Sequence, residues 1–324
     1  MNSFGKNFRV SVFGESHGEV VGVLIDGVPA GVEFSVEDFA RDIARRSSSG
    51  EFATPRREAD IPHIRSGVFN GHTTGAPLCI EFDNLDTQSS DYSFLPSTPR
   101  PGHADYAAHR KFSGMEDYRG GGAFSGRMTI ALVAAGVVAK KILPQSISIY
   151  AGVVRLGGSD SSQRWKSLLA EAKEDGDSLG GVVECQICGV PCGVGEPFWD
   201  SVEGLLSHAV FAIPGVRGIE FGDGFAAADM LGSEHNDPLG PSGPERNGAG
   251  GVNGGLANGS PIVFRVAFKP TSSIARAQVT YNFEQGEKQV LSVGGRHDVC
   301  FALRTPVIVE AVSAIVLADL MFRA

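Results

Sequence analysis

Residues 127–143 read RMTIALVAAGVVAKKIL, an almost unbroken run of Ala, Val, Ile and Leu. A helix that is apolar on every side lies in the core of a protein rather than at its surface. Lys140 and Lys141 suit the negative C-terminal end of the helix dipole, and Pro144 stops the helix. We therefore predict a central buried helix in this segment.

The remaining segments place strands and helices around that helix. Strands are predicted at residues 8–12, 20–25, 78–82, 146–154, 181–188, 262–268 and 289–293. Helices are predicted at residues 35–46, 162–176, 198–209 and from Pro306 onward, and residues 222–261 are read as long loops. Strands and helices mix without a regular βαβ alternation, which indicates an α+β fold. No linker divides the chain, so residues 1–324 are expected to form one domain.

Composition restricts the class of protein. The chain has 324 residues, 42% of them hydrophobic, which suffices for a large core. Its net charge of −9 is concentrated in residues 155–246, where 15 acidic residues face 6 basic ones, so nucleic-acid binding is not expected. Five cysteines favour a reducing compartment, and residues 307–322 contain Glu310 and Asp319, which argues against a membrane span. A cytoplasmic protein that binds neither nucleic acid nor membrane is expected.

Three Gly-rich turns carry titratable side chains. They read GESHG at residues 14–18, PGHAD at 101–105 and GGRHD at 294–298. Glycine allows a close approach of ligand to backbone, His transfers protons near neutral pH, and a carboxylate can accept a proton. His17, His103 and Asp298 are therefore candidate catalytic residues. The alternative is that the histidines only cap turns and that Asp298 lies in an ordinary surface turn.

Arginine and glycine also suggest an anion site. The turn RGGG at residues 119–122 comes before the buried helix, whose first N–H groups and positive dipole end would attract an anion. Residues 47–62 lose any apolar period and contain Arg56 and Arg57, which is typical of a binding loop. Cys185, Cys188 and Cys192 have a spacing that resembles a metal site, but no fourth ligand is evident nearby, so no metal is predicted.

Taken together and in this order, these segments resemble the chorismate synthase family, from about Phe8 to Leu317. The family also matches KPTSS at residues 269–273. The resemblance implies a β-α-β sandwich of antiparallel sheets packed on central helices. It also implies the last step of the shikimate route, in which phosphate leaves 5-enolpyruvylshikimate 3-phosphate by 1,4-elimination with reduced FMN as cofactor.

The resemblance assigns roles to individual residues. His17 and His103 would act as acids or hydrogen-bond donors beside flavin and substrate, and Asp298 would accept a proton relayed through the flavin. The residues implied to bind substrate are Arg46, Arg119 and Arg127. The residues implied to bind the cofactor are Ser125, Pro214, Gly215, Gly254, Lys269, Pro270, Thr271, Ser272, Ser273 and Arg296. A homotetramer and an external flavin reductant are also implied.

Several positions depart from the family pattern. Ala123 stands where the family has Arg, Met128 where it has Glu, and no arginine takes the place near Glu51 that contacts the nicotinamide cofactor in relatives. NADPH alone is therefore not expected to support turnover. Two alternatives stay open: a divergent paralogue with weak flavin binding and altered activity on an anionic substrate, and a binding protein without chemistry.

Overall fold

This computed structural model describes residues 2–47, 52, 59–294 and 297–322. Two antiparallel sheets, of five and four strands, form its framework. The strands of the sheets are β1 (Ser3–Phe4), β2 (Arg9–Gly14), β3 (Val20–Asp26), β4 (His63–Ser66), β5 (Leu78–Asp83), β6 (Ser148–Leu156), β7 (Gly181–Cys188), β8 (Val216–Phe221) and β9 (Ile262–Phe268). The first sheet has the order β1-β2-β3-β5-β4 and the second has the order β8-β9-β7-β6. Short hairpins pair Val68–Phe69 with His72–Thr73, Leu239–Gly240 with Gly243–Pro244, Val252–Asn253 with Leu256–Ala257, and Gln278–Asn282 with Glu287–Leu291.

Two apolar helices lie between the sheets. The helices are α1 (Ala40–Ser47), α2 (Asp105–Phe112), α3 (Thr129–Ile142), α4 (Ser162–Glu174), α5 (Val202–Phe211), α6 (Gly232–His235) and α7 (Pro306–Met321). Helix α3 is the buried helix predicted from residues 127–143, and it packs on α7 along its length. Helix α3 contacts the first sheet through β3, and α7 contacts the second sheet through β6. The predicted α+β fold, with antiparallel sheets packed on central helices, is confirmed.

The sequence prediction missed some elements and extended others. Helix α2 and strand β8 were not predicted, and residues 222–261 contain α6 and two short hairpins in addition to loops. The predicted helix at 198–209 begins only at Val202, because a short 3₁₀ turn at Phe198–Asp200 comes first. The predicted strand at 289–293 is instead the second strand of the Gln278–Asn282 hairpin and ends at Leu291.

Gly136 sets how closely the two central helices approach. A Cβ at this position would lie 2.3 Å from the Cβ of Ala311 in α7 and 2.5 Å from its Cα. Only a glycine can therefore occupy α3 at the crossing. The helix pair joins both sheets, so its spacing fixes the thickness of the whole core.

We expect Gly136→Ala to lower the free energy of unfolding by about 1–3 kcal/mol, because overpacking of a core costs that much. In an open helix position the same substitution is stabilising by about 0.5–1 kcal/mol. Gly232→Ala is the matched control, since a Cβ at Gly232 meets no atom within 4 Å. Urea unfolding of both variants measures the effect. Equal stability of the two variants would contradict the close crossing.

The two carboxylates inside α7 are buried and bonded. Glu310 accepts hydrogen bonds from both terminal nitrogens of Arg45, at 2.6 and 2.7 Å, and thereby links α7 to α1. Asp319 accepts hydrogen bonds from the backbone N–H groups of Lys6, Asn7 and Phe8, and holds the start of the chain against α7.

Among the described residues, no helix combines the length and the apolar character needed to cross a membrane.

Candidate active site

A cavity of about 1600 Å³ contains most of the predicted site. It is lined by the β2–β3 turn, the end of α1, the glycine turn before α3 and the loop after β9. The predicted residues that line it are His17, His103, Asp298, Ser125, Pro214, Gly215, Lys269, Pro270, Thr271, Ser272, Ser273, Arg46 and Arg127. Arg296, predicted to bind cofactor, lies outside the described residues. The predicted binding loop at residues 47–62 also lies mostly outside them.

His17 projects from the tight turn between β2 and β3. Its Nδ1 lies 2.9 Å from Ser89 Oγ, and its ring meets the ring of Tyr92 edge to face at 5.4 Å. A Cβ at Gly120 would lie 2.4 Å from His17 Nε2. Gly120 has a φ of +60°, so both its backbone conformation and its contact with the imidazole require glycine. The glycine turn thus packs directly on the His17 ring.

Two hydroxyl groups on the cavity wall have no hydrogen-bond partner among the described residues. Ser16 Oγ and Thr271 Oγ1 are buried and make no hydrogen bond within the part of the chain that the structure describes. Both residues line the cavity. Buried polar atoms are nearly always hydrogen-bonded, so an unsatisfied pair on a cavity wall indicates a polar ligand.

His103 belongs to a charged cluster with Arg100 and Asp105. Its Nδ1 lies 2.5 Å from Asp105 Oδ1, and Arg100 donates to both carboxylate oxygens of Asp105 at 2.7 Å. Burial lowers the pKa of His103, and the hydrogen bond that its Nδ1–H donates to Asp105 opposes this effect. The hydrogen bonds from Arg100 and His103 hold the pKa of Asp105 far below its usual range despite its burial. In a neutral His103 that donates Nδ1–H to Asp105, Nε2 is the acceptor nitrogen, and Arg100 Nη2 lies 3.3 Å from it.

We expect Asp105→Asn to lower kcat by about 10- to 100-fold, the usual cost of losing the group that orients a functional histidine. The pKa of His103 should fall further, since the carboxylate is the group that raises it. An NMR titration of the imidazole in the apo protein, together with steady-state kinetics, checks both effects. Glu116→Gln is the control, because it removes a carboxylate 3.0 Å from another histidine, His109, outside the cavity wall and leaves the Asp105–His103 pair intact. An unchanged His103 pKa in Asp105→Asn would refute the assignment.

Arg46 and Arg127 share one buried carboxylate. Asp60 accepts Arg46 Nη1 at 3.1 Å through one oxygen and Arg127 Nη1 through the other. All three side chains are 4% exposed. Arg46 Nε also donates to Thr129 Oγ1 at the start of α3, at 3.2 Å. Among the described residues that line the cavity, arginines and lysines outnumber aspartates and glutamates, which favours an anionic ligand.

Arg119 does not join this cation pair. Its guanidinium makes two bonds to Asp117, at 2.8 and 2.7 Å, and the side chain is 46% exposed. Gly254 lies in the exposed turn of the Val252–Asn253 hairpin. Neither residue is among those that line the cavity in the described chain, so their binding roles stay predictions.

The KPTSS segment fixes the turn that carries His103. Lys269 Nζ donates to the carbonyl of Gly102 at 2.7 Å, and Ser272 Oγ donates to the same carbonyl at 2.8 Å. Burial and the nearby charges of Arg217 and Arg100 lower the pKa of Lys269. Lys269 therefore organises the cavity wall as well as supplying a positive charge to it.

Asp298 lies beside a cation that the sequence did not indicate. Arg304 Nη1 is 3.5 Å from Asp298 Oδ2, and its guanidinium stacks over the ring of Phe301 at 5.4 Å. Both charged residues line the cavity. Sequence reasoning also missed Asp60 and the roles of Arg100 and Asp105, although the last two stand next to the PGH turn that it selected.

Comparison with known proteins gives matches over nearly the whole chain. The family model for chorismate synthase matches residues 8–322. A chorismate synthase from Chitinophaga pinensis is 57% identical over 323 residues, which cover 99% of this chain and 96% of that protein. One from Aeropyrum pernix is 46% identical over 351 aligned positions, covering 99% and 92%. A crystal structure of chorismate synthase superposes with a TM-score of 0.76 at 27% identity, over 98% of this chain and 92% of that one.

Proposed function

The chain belongs to the chorismate synthase family and is a carbon–oxygen lyase, and from this premise we propose that it converts 5-enolpyruvylshikimate 3-phosphate to chorismate with reduced FMN. The elimination breaks the bond between C3 and the phosphate oxygen, removes a proton from C6 and creates a second ring double bond. Substrate and product have the same oxidation level. The observation that carries the proposal is the convergence of His17, His103 and Asp298 with an arginine pair in one cavity.

The arginine pair fits the anionic groups of the substrate. The substrate has one phosphate and two carboxylates, and guanidinium groups bind such groups through parallel N–H bonds. Arg46 and Arg127 reach the cavity as a pair because Asp60 holds both. Helix α3 begins next to them, and its positive end adds to the attraction for an anion. Arg304 and Lys269 give further positive charge on the same wall.

The residues present also fit FMN. The cavity volume of about 1600 Å³ exceeds the roughly 300–1,000 Å³ of a pocket for one small ligand, so substrate and flavin can lie together. Thr271 Oγ1 has no partner in the described chain and lies in the segment proposed to hold the flavin phosphate, together with Ser272 and Ser273. Pro214 and Gly215 lie on the cavity wall beside it and would contact the flavin ring. Reduced FMN, when bound, would lend electron density to the allylic C–O bond as it breaks.

The protein residues move and hold protons. His103 accepts at Nε2 while Asp105 holds its Nδ1, and it keeps the protonation state of the neighbouring ligand. His17 donates a hydrogen bond or proton toward the leaving phosphate. Asp298 collects the proton that leaves C6.

The proposal also covers the flavin reductant, the oligomeric state and the cellular compartment. Reducing equivalents come from an external flavin reductant, because the arginine near Glu51 that contacts the nicotinamide cofactor in relatives is missing. A homotetramer in the cytoplasm is proposed from the family resemblance and from the low number of cysteines.

Calorimetric titration of both ligands tests the proposal. Arg46→Gln should weaken substrate binding by about 10- to 150-fold, since a charge-assisted hydrogen bond contributes about 1.5–3 kcal/mol. FMN binding should change little in that variant, whereas Thr271→Val should weaken FMN binding and spare the substrate. Arg164→Gln, on the exposed surface of α4, is the control. Substrate affinity that does not respond to Arg46→Gln would contradict the assignment of the anion site.

A further inference from the structure

Asn84 lies between the His17 turn and Arg127. It follows directly after β5, and the antiparallel pairing of β5 with β3 places it beside the residue that precedes β3. Its backbone N–H donates to the carbonyl of Glu19 at 3.1 Å. The side chain is half-buried and is not part of the cavity wall.

The Asn84 amide uses both ends. Its NH₂ group donates to the carbonyls of Glu15 and Gly18, both at 2.9 Å, and so closes the turn that carries His17. Its carbonyl oxygen accepts a hydrogen bond from Arg127 Nε at 2.8 Å. An amide that faces two carbonyls on one side and a guanidinium on the other has only one chemically sensible orientation. Both N–H groups and the oxygen are thus committed.

We propose that Asn84 is a positioning residue that couples the proton-transfer turn to the anion site. One amide fixes the position of the His17 turn relative to Arg127, so that both side chains can contact the same substrate molecule. The proposal rests on the proposed function for the roles of these two residues. A network of this kind acts as a unit, and its members show non-additive effects when they are removed singly and together.

Two substitutions separate the halves of the amide. Asn84→Ala removes every side-chain bond, so the turn and Arg127 both lose a partner. Asn84→Asp keeps an oxygen acceptor for Arg127 but sets a carboxylate oxygen against the carbonyls of Glu15 and Gly18. We expect kcat to fall by about 10- to 100-fold in both variants, as for loss of an orienting group. KM for the substrate should rise more in Asn84→Ala than in Asn84→Asp.

A double-mutant cycle with His17→Ala distinguishes coupling from simple loss of structure. If Asn84 acts through the His17 turn, Asn84→Ala should cost less than about 3-fold in kcat once His17 is gone, because the orienting effect has nothing left to orient. An equal loss in both backgrounds would overturn the proposal. Asn282→Ala is the matched control, since Asn282 also organises a turn, accepting the N–H groups of Glu284 and Gln285 at 2.9 Å, but lies outside the cavity wall.

A measurement on the apo protein keeps this test independent of the reaction. The His17 imidazole signal in a ¹H–¹³C NMR spectrum is assigned by its absence in His17→Ala. It should shift in Asn84→Ala and Asn84→Asp and stay unchanged in Asn282→Ala. An unmoved signal in both Asn84 variants would overturn the proposal even if turnover is lost. A wild-type protein without chorismate synthase activity would instead refute the proposed function, and the NMR result would still stand.

Discussion

We expect the replacement of His103 by Ala to lower kcat by about 100- to 10,000-fold, the usual contribution of a positioned proton-transfer group. The side chain is 18% exposed at the cavity and is held by Asp105, so truncation removes the proton carrier without opening a hole in the core. His17→Ala should show a loss of the same order, because its ring faces the same cavity. Steady-state kinetics with saturating reduced FMN gives kcat, and thermal unfolding confirms that the fold persists.

The control for His103→Ala is His109→Ala. His109 is in the neighbouring helix α2, has a side chain 47% exposed and pairs with Glu116 at 3.0 Å. It does not line the cavity in the described chain. A wild-type kcat in His103→Ala, or an equal loss of kcat in His109→Ala, would show that His103 only caps its turn.

Asp298→Asn should lower kcat by about 100- to 10,000-fold as well, with little change in KM. The amide keeps the shape of the carboxylate and can still contact Arg304, but it cannot accept the proton that leaves C6. Steady-state kinetics and a substrate labelled with deuterium at C6 check this, because slower proton removal should enlarge the isotope effect on kcat. Asp160→Asn, at a carboxylate 80% exposed, is the control. A kcat equal to that of the wild type would show that another group takes the proton.

The main features of the fold follow from the sequence where the pattern is long and apolar. Helix α3 is predicted almost to its ends, because its apolar run, its two lysines and Pro144 all indicate the same element. Helix α2 was missed because only Ala108 of its eight residues is buried, so no apolar period marks it. Strand β8 contains Arg217 and Gly218, which weaken a strand pattern, and it is held by its pairing with β9.

The site is predicted where glycine turns carry titratable groups, and it is missed where single polar residues meet across the fold. Asp60 is 67 residues from Arg127 in sequence, and nothing local to either residue indicates that they pair. Asn84 and Arg304 are likewise single residues outside any motif. Arg119 shows the opposite case, because its partner Asp117 is only two residues away in the sequence. The spacing allows this ion pair, but only the structure shows that Arg119 bonds to Asp117 and does not line the cavity in the described chain.

Anaerobic turnover with flavin in its two oxidation states tests the account most directly. The wild-type enzyme is mixed with 5-enolpyruvylshikimate 3-phosphate and either dithionite-reduced FMN, oxidised FMN or NADPH alone, and chorismate and phosphate are both measured. The account predicts chorismate and phosphate in equal amounts with reduced FMN and no product in the other two reactions. Turnover with oxidised FMN, or no chorismate with reduced FMN at saturating substrate, would contradict it.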